Sequence, residues 1–114
     1  MSIKQNGDTN TPIVSSVNAQ TASYTLVLSD AGKIIEMGGS STNALTVPTN
    51  ASAAIPIGTE IQVFQTSTVQ CTITAASGVT INATPGLKLR TQWSSAVLRK
   101  RGTDTWILNG DLSA

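Results

Sequence analysis

Apolar side chains alternate with hydroxyl-bearing ones along most of this chain, and the alternation is established from residue 23. Tyr24, Leu26 and Leu28 are interleaved with Thr25 and Val27, a period of two that predicts a strand. Ser29-Asp30-Ala31-Gly32 then reads as a turn, with Gly32 where a permissive backbone is needed. Lys33 to Met37 reads as the returning strand of a hairpin, broken by Gly38-Gly39-Ser40-Ser41. Leu45 and Val47 flank Thr46 in a strand that Pro48 stops or confines to an edge. Thr49 to Gly58 reads as loop with at most one helical turn. Ile61, Val63 and Gln65 alternate with Gln62 and Phe64. After a turn at Ser67-Thr68, Val69, Cys71 and Ile73 alternate with Gln70, Thr72 and Thr74. Gly78 opens a turn before Val79 and Ile81, and Pro85-Gly86 marks another before Leu87 and Leu89. Ala96 to Lys100 and Thr105 to Leu108 flank Gly102-Thr103-Asp104 as a closing hairpin.

Eight or nine short strands at intervals of roughly 8–12 residues, with no helix-period segment, predict an all-β domain. The expected architecture is an antiparallel β-sandwich or small jelly-roll-like barrel. It occupies residues 23–114. Residues 1–22 are mostly Ser, Thr, Asn and Gln, and read as an extended N-terminal arm with an apolar patch at Ile13, Val14 and Val17. Such an arm is a tail in a monomer and a strap across a neighbour in an assembly. No internal repeat is visible.

Composition narrows the chemistry. Seven basic and six acidic residues serve 114 positions, and histidine is absent. The charged fraction of 11% is less than half the roughly 25% of an ordinary soluble domain. Thirty residues are Ser or Thr, which cover β-sheet with uncharged polar groups. One domain of this size buries a core without disulfides or metal, and Cys71, the single cysteine, reads as a small buried hydrophobe in a strand. No apolar run reaches membrane-spanning length. The polar start lacks a signal-peptide core, so the expectation is synthesis in the cytosol.

Triads and metal sites that depend on histidine are excluded by count, and no cofactor is expected. Asp30 and Asp104 each sit near glycine in a turn and read as caps of their own backbone. Asp8, Glu36, Glu60 and Asp111 complete the carboxylates, and nothing in the sequence concentrates a pair of them for glycosidase chemistry. Gly38-Gly39-Ser40-Ser41 lacks the lysine and the strand–loop–helix setting of a phosphate loop.

Lys88, Arg90, Arg99, Lys100 and Arg101 hold five of the seven basic residues. If their two strands are neighbours they form a patch, read as a solvated edge that discourages stray pairing, as a contact between subunits or with a virion surface, or as a nucleic-acid contact. The last is the least favoured, because net charge is +1 and no aromatic ladder accompanies the cluster. Trp106 lies in an apolar strand and reads as core. Trp93, in Thr-Gln-Trp-Ser-Ser, reads as an interface residue, a cover for the core or a platform for a sugar ring.

The residues Tyr24 to Glu36, Ile55 to Val63, Gly78 to Asn82 and Leu87 to Arg90, together with the ending Lys100-Arg-Gly-Thr-Asp-Thr-Trp-Ile-Leu-Asn-Gly-Asp-Leu112, resemble a small β-rich structural module of tailed-bacteriophage virions. The resemblance spans nearly everything after the arm. It implies a head decoration (cement) protein, commonly a homotrimer, that binds the major capsid protein lattice on the capsid surface of particles made in the bacterial cytoplasm. The alternative it implies is a tail or fibre module that binds a host surface or glycan. It brings no catalytic residues.

Overall fold

Alternation gives each strand two unlike faces, and burying one face of each requires a second layer. The chain supplies that layer by crossing from one sheet to the other at nearly every connection. The computed structural model describes residues 14–114. Its strands are β1 (Val17–Gln20), β2 (Tyr24–Thr25), β3 (Ile34–Met37), β4 (Asn43–Val47), β5 (Glu60–Gln65), β6 (Cys71–Ala75), β7 (Thr80–Ala83), β8 (Lys88–Leu89), β9 (Ser95–Gly102), β10 (Thr105–Gly110) and β11 (Leu112–Ser113). A six-stranded sheet runs β1-β3-β5-β9-β10-β7, and a five-stranded sheet runs β11-β8-β6-β4-β2.

The all-β class is as expected; the pairing differs. β1, β3 and β5 are mutually parallel neighbours in one sheet, and β2, β4 and β6 are parallel neighbours in the other. The first part of the chain therefore winds in a solenoid-like stack, each turn giving one strand to each sheet. The winding ends where β8 pairs antiparallel to β6 and β9 antiparallel to β5. The expected closing hairpin is present as β9–β10, while β7 returns parallel to β10 at the sheet's edge.

Three expectations are corrected by this topology. Residues 24–37 do not make a hairpin, because β2 and β3 belong to different sheets; a 3-10 turn at Leu28–Asp30 carries the chain across. Gly32 does adopt a positive φ, +76°, but the turn it serves links two layers. The described strands number eleven rather than eight or nine. Finally, part of the segment read as an arm is built into the sheet, with Val17 opposite Ile34 and Gln20 opposite Met37. Alternation is the same in parallel and antiparallel strands that bury one face, so the period alone does not distinguish them. The turns are also unequal: Val17 stacks on Ile34 and Ile34 on Gln62, which leaves no constant spacing to read as a repeat.

Ile35, Met37, Ile61, Val63, Leu98, Trp106 and Leu108 from the larger sheet meet Leu45, Val47, Cys71, Ile73, Leu89 and Leu112 from the smaller in one core. Trp106 and Cys71 are buried as expected, and burial pushes the Cys71 thiol up to about 11. Among the described residues two side chains of the charged types are buried as well, Asp30 and Lys100. Gln65 is buried too, donating from Nε2 to the Ser67 carbonyl (3.0 Å) and accepting the Cys71 N–H on Oε1 (3.0 Å).

Candidate functional site

The chain shows its least ordinary backbone at an exposed tryptophan. Trp93 has φ +74°, a left-handed conformation that costs a non-glycine residue about 1–2 kcal/mol, and it remains 68% exposed. The turn from Arg90 to Ser94 carries the chain from β8 to β9, where β3 and β5 finish. Its neighbours hold it. The Trp93 N–H donates to the Gln65 carbonyl at 2.7 Å, and the Gln65 N–H donates to the Ser94 carbonyl at 3.0 Å. Ser94, buried, donates through Oγ to Asp111 Oδ2 at 2.6 Å and accepts the Thr91 N–H at 3.2 Å. Gln92 reaches the Thr66 carbonyl at 3.3 Å.

Arg90 and Asp111 close the back of the turn with a two-pronged contact, Nε to Oδ1 at 2.8 Å and a terminal guanidinium nitrogen to Oδ2 at 3.0 Å. The Arg90 guanidinium, followed by the Ser94 hydroxyl, holds the Asp111 carboxyl below the usual carboxylate range. A carboxyl depressed in the folded state lends stability above its unfolded pKa, and that stability is lost as pH falls through the folded value. The turn is therefore expected to loosen only below about pH 4, seen as a change in Trp93 fluorescence in a Trp106→Phe background. In Asp111→Asn that acid step should be missing.

The sheets' outer faces supply a second feature. On the smaller sheet the outward positions include Thr25, Ala44, Thr46, Thr72, Thr74 and Lys88, a solvated face rich in hydroxyls. The matching positions of the larger sheet form one row of Val17, Ile34, Gln62 and Val97 and a second of Ala19, Glu36, Phe64 and Ser95. Ile107 lies beside Arg99, which is opposite Glu60. An open groove of about 470 Å3, lined by Ser15, Lys33, Ile34, Glu60, Gln62 and Val97, runs over this face.

The residues singled out from sequence separate accordingly. Ile13 lies outside the described residues. Val14 is 79% exposed, and Val17 stands on the apolar outer face. The five basic residues do not make one patch, because β8 and β9 lie in different sheets. Lys88 is on the hydroxyl face, Arg90 is paired with Asp111, and Arg99 and Arg101 are exposed on the larger sheet. Lys100, between them in an alternating strand, points into the core and is 1% exposed. Neither turn aspartate caps only its own turn. Asp104 Oδ1 accepts the distant Asn50 N–H at 2.8 Å, and Asp30 gathers Asn18, Tyr24 and the Val27 N–H. Asp111, Ser94 and Gln65 were not identified from sequence, since their partners lie up to 29 positions away in the Gln65–Ser94 case and no local pattern marks them.

Among the described residues no three of His, Cys, Asp or Glu gather as a metal cluster, and no helix is long and apolar enough to cross a membrane. Comparison with protein-family models, curated proteins and solved structures finds no match.

Proposed function

We propose that this chain is a structural protein of a bacteriophage particle, a head decoration protein that self-associates, expected as a homotrimer, and clamps the capsid lattice. The resemblance described above supplies the particle. The observation that carries the adhesive role is Trp93, held against its own backbone preference and left in solvent, the pattern of an anchor awaiting a partner. We assign the Trp93 turn to the lattice contact and the outer face of the larger sheet to contact between copies. The hydroxyl face serves as an internal comparison: β-branched threonine builds a solvated sheet there, whereas Val17, Ile34, Phe64, Val97 and Ile107 hold equivalent outward positions on the other sheet. Charge on that face is divided between strands. Glu36 and Glu60 lie on β3 and β5, Arg99 and Arg101 on β9, so the acidic strands of one copy can meet the basic strand of the next head to tail around a three-fold axis. Many such copies on a repeating lattice gain avidity from modest single contacts.

The native protein is expected to run in solution at about three times the 11.8 kDa chain mass. Val97→Lys should reduce it to monomer, with a stability change within about 0.5 kcal/mol, as for other surface substitutions. A native monomer at micromolar concentration overturns the sheet contact. Labelled copies spread over the heads of particles support decoration, while label confined to the tail tip overturns it in favour of the tail or fibre reading.

A further inference from the structure

Lys100 is held in the interior by neutral groups. Its Nζ donates to Asn50 Oδ1 and to the Ile55 carbonyl, both at 2.7 Å, and lies 5.9 Å from the centre of the Trp106 ring. No carboxylate of a described residue lies within ion-pair distance of it. Lys100 and Trp106 are each 1% exposed and Ile55 2%, while Asn50 is half-buried at the margin of this pocket. Asn50 is fixed from its other side, its N–H donating to Asp104 Oδ1 at 2.8 Å. An amine nucleophile on β9 and a carboxamide in the turn after β4 are thus kept in contact at the edge of the core.

We propose that this is a self-crosslinking site, at which Lys100 and Asn50 condense into an isopeptide bond. After Lys100 gives its ammonium proton to water, Nζ attacks Asn50 Cγ, and the new C–N bond forms as the carbonyl π pair moves onto Oδ1. A proton passes from Nζ to Nδ2. The carbonyl re-forms, the Cγ–Nδ2 bond breaks with its electron pair on nitrogen, and ammonia leaves. One amide replaces another, so the exchange needs no oxidant, reductant or cofactor. Two features of the pocket drive it. Holding the groups together removes the entropic cost of their encounter, which for well-oriented pairs is equivalent to an effective concentration far above any attainable in solution. The buried side of the pocket keeps water from the product, while the half-buried Asn50 gives ammonia a way out, after which dilution prevents the reverse step. Asp104 is the positioning residue, steadying the Asn50 backbone.

The bond would fix the loop between β4 and β5, which already meets β9 through the Gly58 N–H to the Lys100 carbonyl and the Lys100 N–H to the Thr59 carbonyl. It would also close a long covalent loop that persists under load and in denaturant. This inference stands independently of the decoration reading.

Intact mass of the purified full-length protein tests it directly. The expected result is a chain lighter than its sequence mass by one ammonia, about 17 Da, with a branched tryptic peptide joining Asn50 to Lys100. Asn50→Ala and Lys100→Arg should each restore the full mass, and the two variants guard against either one failing to fold. Freshly refolded and aged native protein both at full sequence mass would overturn the proposal and leave Lys100 as a hydrogen-bonding anchor. Asp104→Asn keeps an acceptor for the Asn50 N–H, whereas Asp104→Ala does not. Native-like conversion in the first and slowed conversion in the second, followed by mass against time, support positioning. Equal slowing in both would overturn that role.

Discussion

Trp93→Gly is expected to melt higher than the native protein and yet, on the proposed decoration role, to lose its hold on the capsid lattice. Glycine takes the left-handed backbone without steric penalty, so the substitution relieves the strain of about 1–2 kcal/mol at an entropic cost of about 0.5–1 kcal/mol, a net gain of about 1 kcal/mol and a rise of several degrees for a domain near this size. Little packing is lost, since the indole is 68% exposed. If the same indole is the anchor, its removal costs at least about 2 kcal/mol of binding, or roughly thirtyfold in affinity. The readouts are a thermal melt and the number of copies retained on purified particles after dilution. Trp93→Ala separates the two effects, because alanine keeps the strained φ and loses the ring: its melt should stay near native while retention falls as far as in Trp93→Gly. A destabilised Trp93→Gly with native retention would make the indole a cover for the core and remove the reason for the strain. Stability gained with function lost is the mark of a residue kept for its contacts.

What the sequence reveals and what it conceals divide along one physical line. Alternation in Glu60–Gln65, Cys71–Ala75 and Ser95–Gly102 reports which side chains face inward, and burial of Ile61, Val63, Ile73 and Leu98 follows it. Local turn chemistry likewise located Gly32 and Gly78, both at positive φ. Strand order is not local. Whether β3 pairs with the strand before it or the strand two places on depends on where each connection delivers the chain, and a crossing of layers and a hairpin can share the same Asp-Ala-Gly. The basic residues divide for the same reason: a patch required their two strands to be neighbours, and residues 88 to 101, close in sequence, lie on two sheets and, within β9, on two faces. Trp93 could be nominated from its polar setting, but its φ could not, because the turn is held by Gln65 at the end of β5 and, through Ser94, by Asp111 between β10 and β11, both distant in sequence.

The largest loss of stability is expected at Asp30, which lies where the winding begins. Its carboxylate is fully buried and accepts from Asn18 Nδ2 at 2.9 Å, the Tyr24 hydroxyl at 2.6 Å and the Val27 N–H at 2.9 Å. Asn18 belongs to β1 in the larger sheet and Tyr24 to β2 in the smaller, so one side chain joins the two layers of the first turn. Burial, and next the bond to Asp30, raise the Tyr24 hydroxyl above its ordinary range, so this donor stays protonated well into alkaline solution. Asp30→Ala removes the acceptor shared by three part-buried donors. A fully buried donor left unmet costs about 1–3 kcal/mol; water reaches these in part, so the expected loss is about 2–4 kcal/mol. Asp30→Asn preserves the shape and one acceptor oxygen and should lose less. Among the described strands β1 pairs only with β3 and β2 only with β4, so the damage has a preferred place to appear. Amide exchange should quicken first across residues 17–30 and only later in β5 and β9, because the end turn opens without unwinding those behind it. Uniform acceleration through both sheets would instead mean that the stack melts as a single unit, with Asp30 holding the whole of it rather than its first turn.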